Sequence, residues 1–145
     1  MSRLIPELDV SDLDRSLAFY VDVIGFKVLY ARPEERFAFL DLAGALLMLE
    51  EAAGPGRRFR MAALERPYGR GVNFQIETAN VDALHERVRK AGIEIAIAIE
   101  ELWYRRDEVE LGNRQFVVAD PDGYLLRFFS ALGQRPASRR DKLGS

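Results

Sequence analysis

The sequence contains no cysteine. That excludes disulfides, thiolate nucleophiles and cysteine-based metal sites, and it fits a reducing compartment. Charge of one sign is not in excess either: the formal net charge is −2, so no general affinity for nucleic acid is expected. No apolar run approaches the length that spans a bilayer, and no signal-like apolar stretch opens the chain. The expectation is a cytoplasmic protein without membrane contact. Histidine is nearly absent. The one copy, His85, falls on a predicted helix, where a solvated surface position competes with a role as ligand or base.

What is present is an ordinary globular composition. The 145 residues are 48% hydrophobic and 30% charged, enough for one domain or for two very small halves sharing one core. Residues 4–10 (LIPELDV) alternate as a strand, with Leu4, Pro6, Leu8 and Val10 on one face and Ile5, Glu7 and Asp9 on the other. Pro6 cannot donate to a ladder and marks an edge or end. Ser11 and Asp12 offer caps to an amphipathic helix over 12–24, which Gly25 stops. Strands follow over 26–31, 36–42 and 45–50, with Phe37 and Phe39 on one side of the second of these. Residues 51–70 carry Gly54-Pro55-Gly56, then Arg57, Arg58, Arg60 and Arg66, then Pro67 and Gly69. They read as a linker or excursion with one short helical turn near 61–64. A strand over 71–78 places Asn73, Gln75 and Glu77 on its polar face. Asn80 caps a helix through about Ala91, and Gly92 ends it. Residues 93–99 form a strand, and 100–112 (EELWYRRDEVELG) read as a polar loop. Two runs, 114–119 and 124–129, flank Asp120-Pro121-Asp122-Gly123 as an antiparallel hairpin. The segment from Gln134 onward is polar and basic and is expected to be a mobile tail.

The two halves repeat. Asp12-Leu13-Asp14 opens the first helix and Asn80-Val81-Asp82 the second. Gly25-Phe26-Lys27-Val28 follows the first and Gly92-Ile93-Glu94-Ile95 the second. Each half is βαβββ, too small to bury both faces of its own sheet. The fold expected is α+β: two βαβββ modules, about 3–50 and 71–131, joined by the 51–70 linker into one domain over 1–133. Their strands would form one curved, mixed, eight-stranded sheet with helices outside. A concave face at the junction is the default place for a ligand.

VSDLDRSLAFYVDVIGFKVLY and NVDALHERVRKAGIEI resemble the two helix–strand units of the vicinal-oxygen-chelate superfamily. NRQFVVADPDGYLLRFF is similar to the closing hairpin of its glyoxalase/bleomycin-resistance branch. The resemblance covers about 3–131 and implies paired βαβββ modules. It also implies four metal-ligand positions in the metal-dependent members, onto which Ile5, Met48, Asn73 and Arg127 map. An apolar side chain, a thioether, a weak neutral amide and a guanidinium make a poor divalent-cation set. Glu7, Glu50 and Glu77 are the carboxylates near enough to rescue a site if the register is shifted.

Metal-free members of the bleomycin-resistance kind are homodimers that sequester a flat cationic drug with aromatic walls and acidic residues. On that resemblance the expectation is a cofactor-free homodimer that captures a small aromatic or drug-like molecule. The alternative is a metal-dependent lyase, isomerase or dioxygenase. Ligand-binding candidates are Phe37, Phe39, Met48, Asn73, Gln75, Trp103, Tyr104 and Arg127. Phe37 and Phe39 also read as plain sheet core, and Trp103 and Tyr104 as aromatics in an exposed loop. Arg127, and with it Arg114, would face a ligand and favour an anionic or neutral one; the alternative for Arg127 is a neutralising pair with Glu77 or Glu7.

Overall fold

A computed structural model describes residues 2–138. In chain order its elements are β1 (Glu7–Val10), α1 (Leu13–Leu17, continuing as a π-helical segment Ala18–Ile24), β2 (Lys27–Arg32), β3 (Phe37–Leu42), β4 (Ala45–Glu51), β5 (Asn73–Glu77), α2 (Val81–Lys90), β6 (Ile95–Arg106), β7 (Val109–Ala119) and β8 (Leu125–Pro136). The paired modules are present. Their strands, however, form two four-stranded sheets, ordered β1-β4-β3-β2 and β5-β8-β7-β6, in place of one sheet of eight. The orders match element for element, so the internal repeat extends from sequence to topology. The chain divides into two compact units. The first runs to Asn73 and also takes Ala119–Leu125; the second is Phe74–Val118 and Leu126 onward.

In the first unit β1 lies parallel to β4, with Leu8 opposite Leu49, and β3 is antiparallel to β4. β1 starts later than the alternation implies, because Pro6 offers only its carbonyl, which accepts from the Met48 amide at 2.9 Å. Asp12 caps α1, its carboxylate accepting from the Arg15 amide at 3.3 Å. Gly25 closes the π-helical segment at φ 106°, donating to the Tyr20 carbonyl, a backbone conformation that a side chain disfavours. Tyr20, Ile24, Phe26, Leu40 and Leu49 fill the core. The expected helical turn near 61–64 does not form.

Asp120-Pro121-Asp122-Gly123, the turn between β7 and β8, belongs to this unit and is tied into it by both carboxylates. Asp120 accepts from the amides of Asp122 and Tyr124, each at 2.9 Å, and from the Tyr20 hydroxyl. Asp122 accepts from the Ser11 amide and hydroxyl and from Arg66. Ser11 is therefore an anchor for the turn; Asp12 caps the helix, and Glu51 accepts from the Leu13 amide at 2.9 Å.

In the second unit Val81, Leu84 and Val88 of α2 are buried at helical spacing. Asn80 caps the helix, its side chain accepting from the Ala83 amide at 3.0 Å. Phe116 and Phe128 pack at 5.7 Å in the core, and the His85 ring stands edge-on to Phe116 at 5.1 Å. His85 is thus half-buried against an aromatic ring, with Nε2 buried, and not a solvated surface residue.

The polar loop expected over 100–112 is the main correction. β6 and β7 form one long antiparallel ribbon in which Trp103 pairs with Gly112 and Tyr104 with Leu111. The turn falls at Asp107-Glu108, with Asp107 at φ 54°. Charged residues on both faces of an exposed ribbon erase the alternation that marks a half-buried strand. β8 likewise runs through Pro136, into the segment read as a mobile tail. The remainder of that segment, 139–145, lies outside the described residues.

Candidate functional site

The long ribbon and its neighbours build a cavity of about 620 Å³ within the second unit. Strand alternation sends Tyr104 and Arg106 of β6, and Leu111 and Asn113 of β7, to the same face. Arg127, Phe129 and Ala131 of β8 follow at every second position, and Gln75 of β5 completes the wall. Gly133, at φ 101°, then breaks the alternation. Gln134 therefore lines the cavity, while Arg135 pairs with Glu110 at 2.6 Å and lies 4.1 Å over the Trp103 ring. Trp103 itself sits on Gly112, where an added Cβ would come within 2.7 Å of the indole.

Two polar arrangements orient the wall. Arg127 Nη2 donates to Gln75 Oε1 at 2.5 Å, which holds the guanidinium without neutralising it. Neither Glu77 nor Glu7 pairs with it, so the neutralised alternative is not realised. Arg114, expected near Arg127, is instead bound to Asp82 at 2.7 Å and to Glu101 at 3.3 Å. The hydrogen bonds from Arg114 hold the Asp82 carboxyl below its usual range. The buried Gln115 amide donates to the Tyr104 hydroxyl at 2.9 Å and to Glu100 at 3.3 Å, fixing the phenol at the cavity wall.

The remaining predicted residues lie in the first unit or at its end. Phe37 and Phe39 are buried on β3. Tyr30 stacks on Phe39 at 5.0 Å, and Arg32 covers the Phe37 ring at 4.0 Å. Met48 is cross-strand from Phe39 and beside Glu7. Asn73 opens β5 and is exposed. The structure therefore brings together Gln75, Tyr104 and Arg127, with Trp103 on the opposite face of the same ribbon. Arg106, Leu111, Asn113, Phe129 and Gln134 were not foreseen. The alternation Arg127-x-Phe129 was available as a signal, but the charged ribbon concealed the others.

A divalent cation does not fit the carboxylates present. Glu50 is buried and bound by Arg58 Nη1 at 2.5 Å, and Asp9 is paired with Arg60 at 3.2 Å. Residues 51–70, read as a linker, thus lay two guanidinium groups over this acidic face. Burial, and then the hydrogen bond and charge of Glu50, push the Glu7 carboxyl up. The fallback set Glu7, Glu50 and Glu77 is divided: the first two share the first sheet, and Glu77 is on β5 in the other unit. Among the described residues no group of three or more histidines or carboxylates is arranged to hold a metal ion.

The sequence model of the Glyoxalase/Bleomycin resistance protein/Dioxygenase superfamily matches residues 6–128. A bleomycin resistance protein of Geobacillus stearothermophilus is 30% identical, the match covering 91% of this chain and 98% of that protein. One from Staphylococcus aureus matches to the same extent. Among solved structures, TioX from Micromonospora sp. ML1 superposes with a TM-score of 0.68 at 26% identity, covering 91% of this chain and 100% of that one. A virulence protein from Salmonella typhimurium, at 17% identity, shares the fold with a TM-score of 0.68, covering 90% and 97%.

Proposed function

Because the chain belongs to the Glyoxalase/Bleomycin resistance protein/Dioxygenase superfamily, we propose that it is a metal-free binding protein that captures a small aromatic or drug-like molecule and does not transform it. The supporting observation is Arg127. It stands in the last strand, where the resemblance implies a metal-ligating carboxylate, and its guanidinium is held by Gln75 at the wall of a cavity of about 620 Å³. That volume lies within the range of small-molecule sites, about 300–1,000 Å³. Tyr104 and Phe129 supply ring surface, and Gln75, Asn113 and Gln134 supply hydrogen-bonding groups.

Sequestration by a protein of this kind would confer resistance to the captured compound. We place the protein in the cytoplasm as a homodimer. The exposed apolar run Val28-Leu29-Tyr30 on β2, an edge strand of the first sheet, supports self-association. No helix among the described residues is long and apolar enough to cross a membrane.

Three measurements test this reading. Elemental analysis of protein purified without chelator is expected to find less than stoichiometric divalent metal. A bound metal that is lost on Glu77→Ala substitution would overturn the proposal. Native mass spectrometry is expected to detect a co-purifying small molecule, or capture of an added aromatic one, with the compound recovered unchanged. Light scattering is expected to give twice the 16.5 kDa chain mass; a monomer mass would remove the dimer from the proposal.

A further inference from the structure

The cavity wall of the second unit is electrostatically one-sided, and we infer that its ligand is an anionic aromatic: a flat ring system bearing a carboxylate or sulfonate that docks on Arg127. This rests on the reading of the cavity as a small-molecule site and adds the sign of the ligand's charge. That sign is opposite to the cationic drug implied by the resemblance.

Two guanidinium groups, Arg106 and Arg127, line the cavity, and no aspartate or glutamate does so. Three arginines away from the cavity in this unit have carboxylate partners: Arg89 with Glu86, Arg114 with Asp82 and Arg135 with Glu110. Among the described residues Arg106 and Arg127 have none. The two arginines at the cavity therefore keep their charge without a carboxylate to offset it. A ligand cation there would face two like charges in a partly desolvated space, whereas an anion would be held by both.

The partner of Arg127 is informative in kind. An amide oxygen fixes the direction of a guanidinium but leaves its charge intact, whereas a carboxylate would cancel it. Of the three Arg127 nitrogens, Nη2 alone has a hydrogen-bond partner among the described residues, and Nε is buried without one. A guanidinium has five N–H donors in a planar fork matched to a carboxylate or sulfonate edge. One neutral acceptor leaves most of that capacity unused. The Tyr104 oxygen already accepts from Gln115, so its own proton is available to donate outward. Phe129, Leu111 and the Tyr104 ring then offer the apolar surface for the flat part of the ligand.

The test is calorimetric titration of the full chain with three probes on one ring system: 2-naphthoate, 2-naphthamide and 2-naphthylmethylammonium. The carboxylate is expected to bind about tenfold or more tightly than the amide, the worth of a charge-assisted hydrogen bond, with the ammonium weakest. Arg127→Gln is expected to abolish the preference for the carboxylate over the amide. Arg89→Gln removes the same charge from the α2 surface and is expected to retain the preference. Urea unfolding of each variant shows that it is folded. Equal binding of carboxylate and amide, or a preference that survives Arg127→Gln, overturns this inference and leaves the binding-protein reading standing. Failure of all three probes to bind at millimolar concentration overturns both.

Discussion

The hydroxyl of Tyr20 donates a 2.7 Å hydrogen bond to Asp120 Oδ2, joining residues 100 apart in the chain inside the first unit. Both groups are buried. Burial drives the Tyr20 hydroxyl well above its ordinary range and raises the Asp120 carboxyl against the pull of its hydrogen bonds. Tyr20→Phe removes the donor and leaves a buried carboxylate oxygen short of one partner. The expected loss is about 1–3 kcal/mol of unfolding free energy, measured by urea denaturation at pH 7.

The raised Asp120 carboxyl also fixes a direction with pH. A group whose pKa is higher folded than unfolded stabilises the fold when protonated, and that contribution is lost as pH rises through the folded value. Glu51 shifts the opposite way, held down by Arg36 and the Leu13 amide, so the raw stability curve mixes signs. Comparison with Asp120→Asn isolates the Asp120 contribution. Wild-type stability minus that of the variant is expected to rise as pH falls from about 7 toward about 4. A difference that is flat or falls over that window would contradict the assignment.

Arg58 is expected to be the most costly single loss in the 51–70 segment. Its Nη1 is 2.5 Å from Glu50 and its Nε 3.9 Å from Asp9, with Glu7 in the same acidic group. Arg58→Gln leaves Glu50, 5% exposed, facing Asp9, 15% exposed, without the shared cation between them, at a cost of about 3 kcal/mol. Arg58 also lowers the Glu7 carboxyl. Without it the folded pKa rises further, so the deficit of the variant should grow as pH rises above the ordinary glutamate range, as urea denaturation at a series of pH values would measure.

The lone tryptophan reports on the ribbon that carries Tyr104. An alanine Cβ at position 112 would meet the Trp103 ring at 2.7 Å, so Gly112→Ala must displace the indole from its place under Arg135. A shift in the emission maximum and a stability loss of about 1–3 kcal/mol are expected. Emission unchanged from wild type would show that the ring does not rest on Gly112.

Tyr104→Ala is expected to weaken binding of any aromatic ligand by about tenfold, through loss of a ring contact and its buried area. Tyr104→Phe should cost less for 2-naphthamide than for 2-naphthoate, since only the donated proton is lost. Titration calorimetry of both variants measures the difference.

Legibility in the sequence followed the strength of local signals. Asn80, Gly25, Gly92 and the Asp120–Gly123 turn impose their conformations within a few residues, so the helices, their ends and the closing hairpin can be placed from residue identity and spacing alone. Arg127 could be singled out because it replaces an expected carboxylate. Three features were concealed. The ribbon through Trp103 and Tyr104 is charged on both faces and lacks alternation. The burial of Arg58 depends on carboxylates contributed by two strands, which no spacing encodes. The partner of Arg127 was sought among Glu77 and Glu7, although Gln75, two residues before Glu77, supplies it. Side-chain choice between neighbours on one strand is settled by packing and not by pattern.

The assignment of Ala119–Leu125 to the first unit bears on how the chain is made. When residues 1–73 leave the ribosome, the Tyr20 hydroxyl and the Ser11 amide have no carboxylates to meet, because Asp120 and Asp122 follow them by 100 and 111 residues. Domains that are contiguous in sequence can close from the N-terminus as synthesis proceeds. This one cannot: its first unit is completed only after most of the second has been translated. The two repeats therefore correspond to halves of the gene but not to independent steps of assembly.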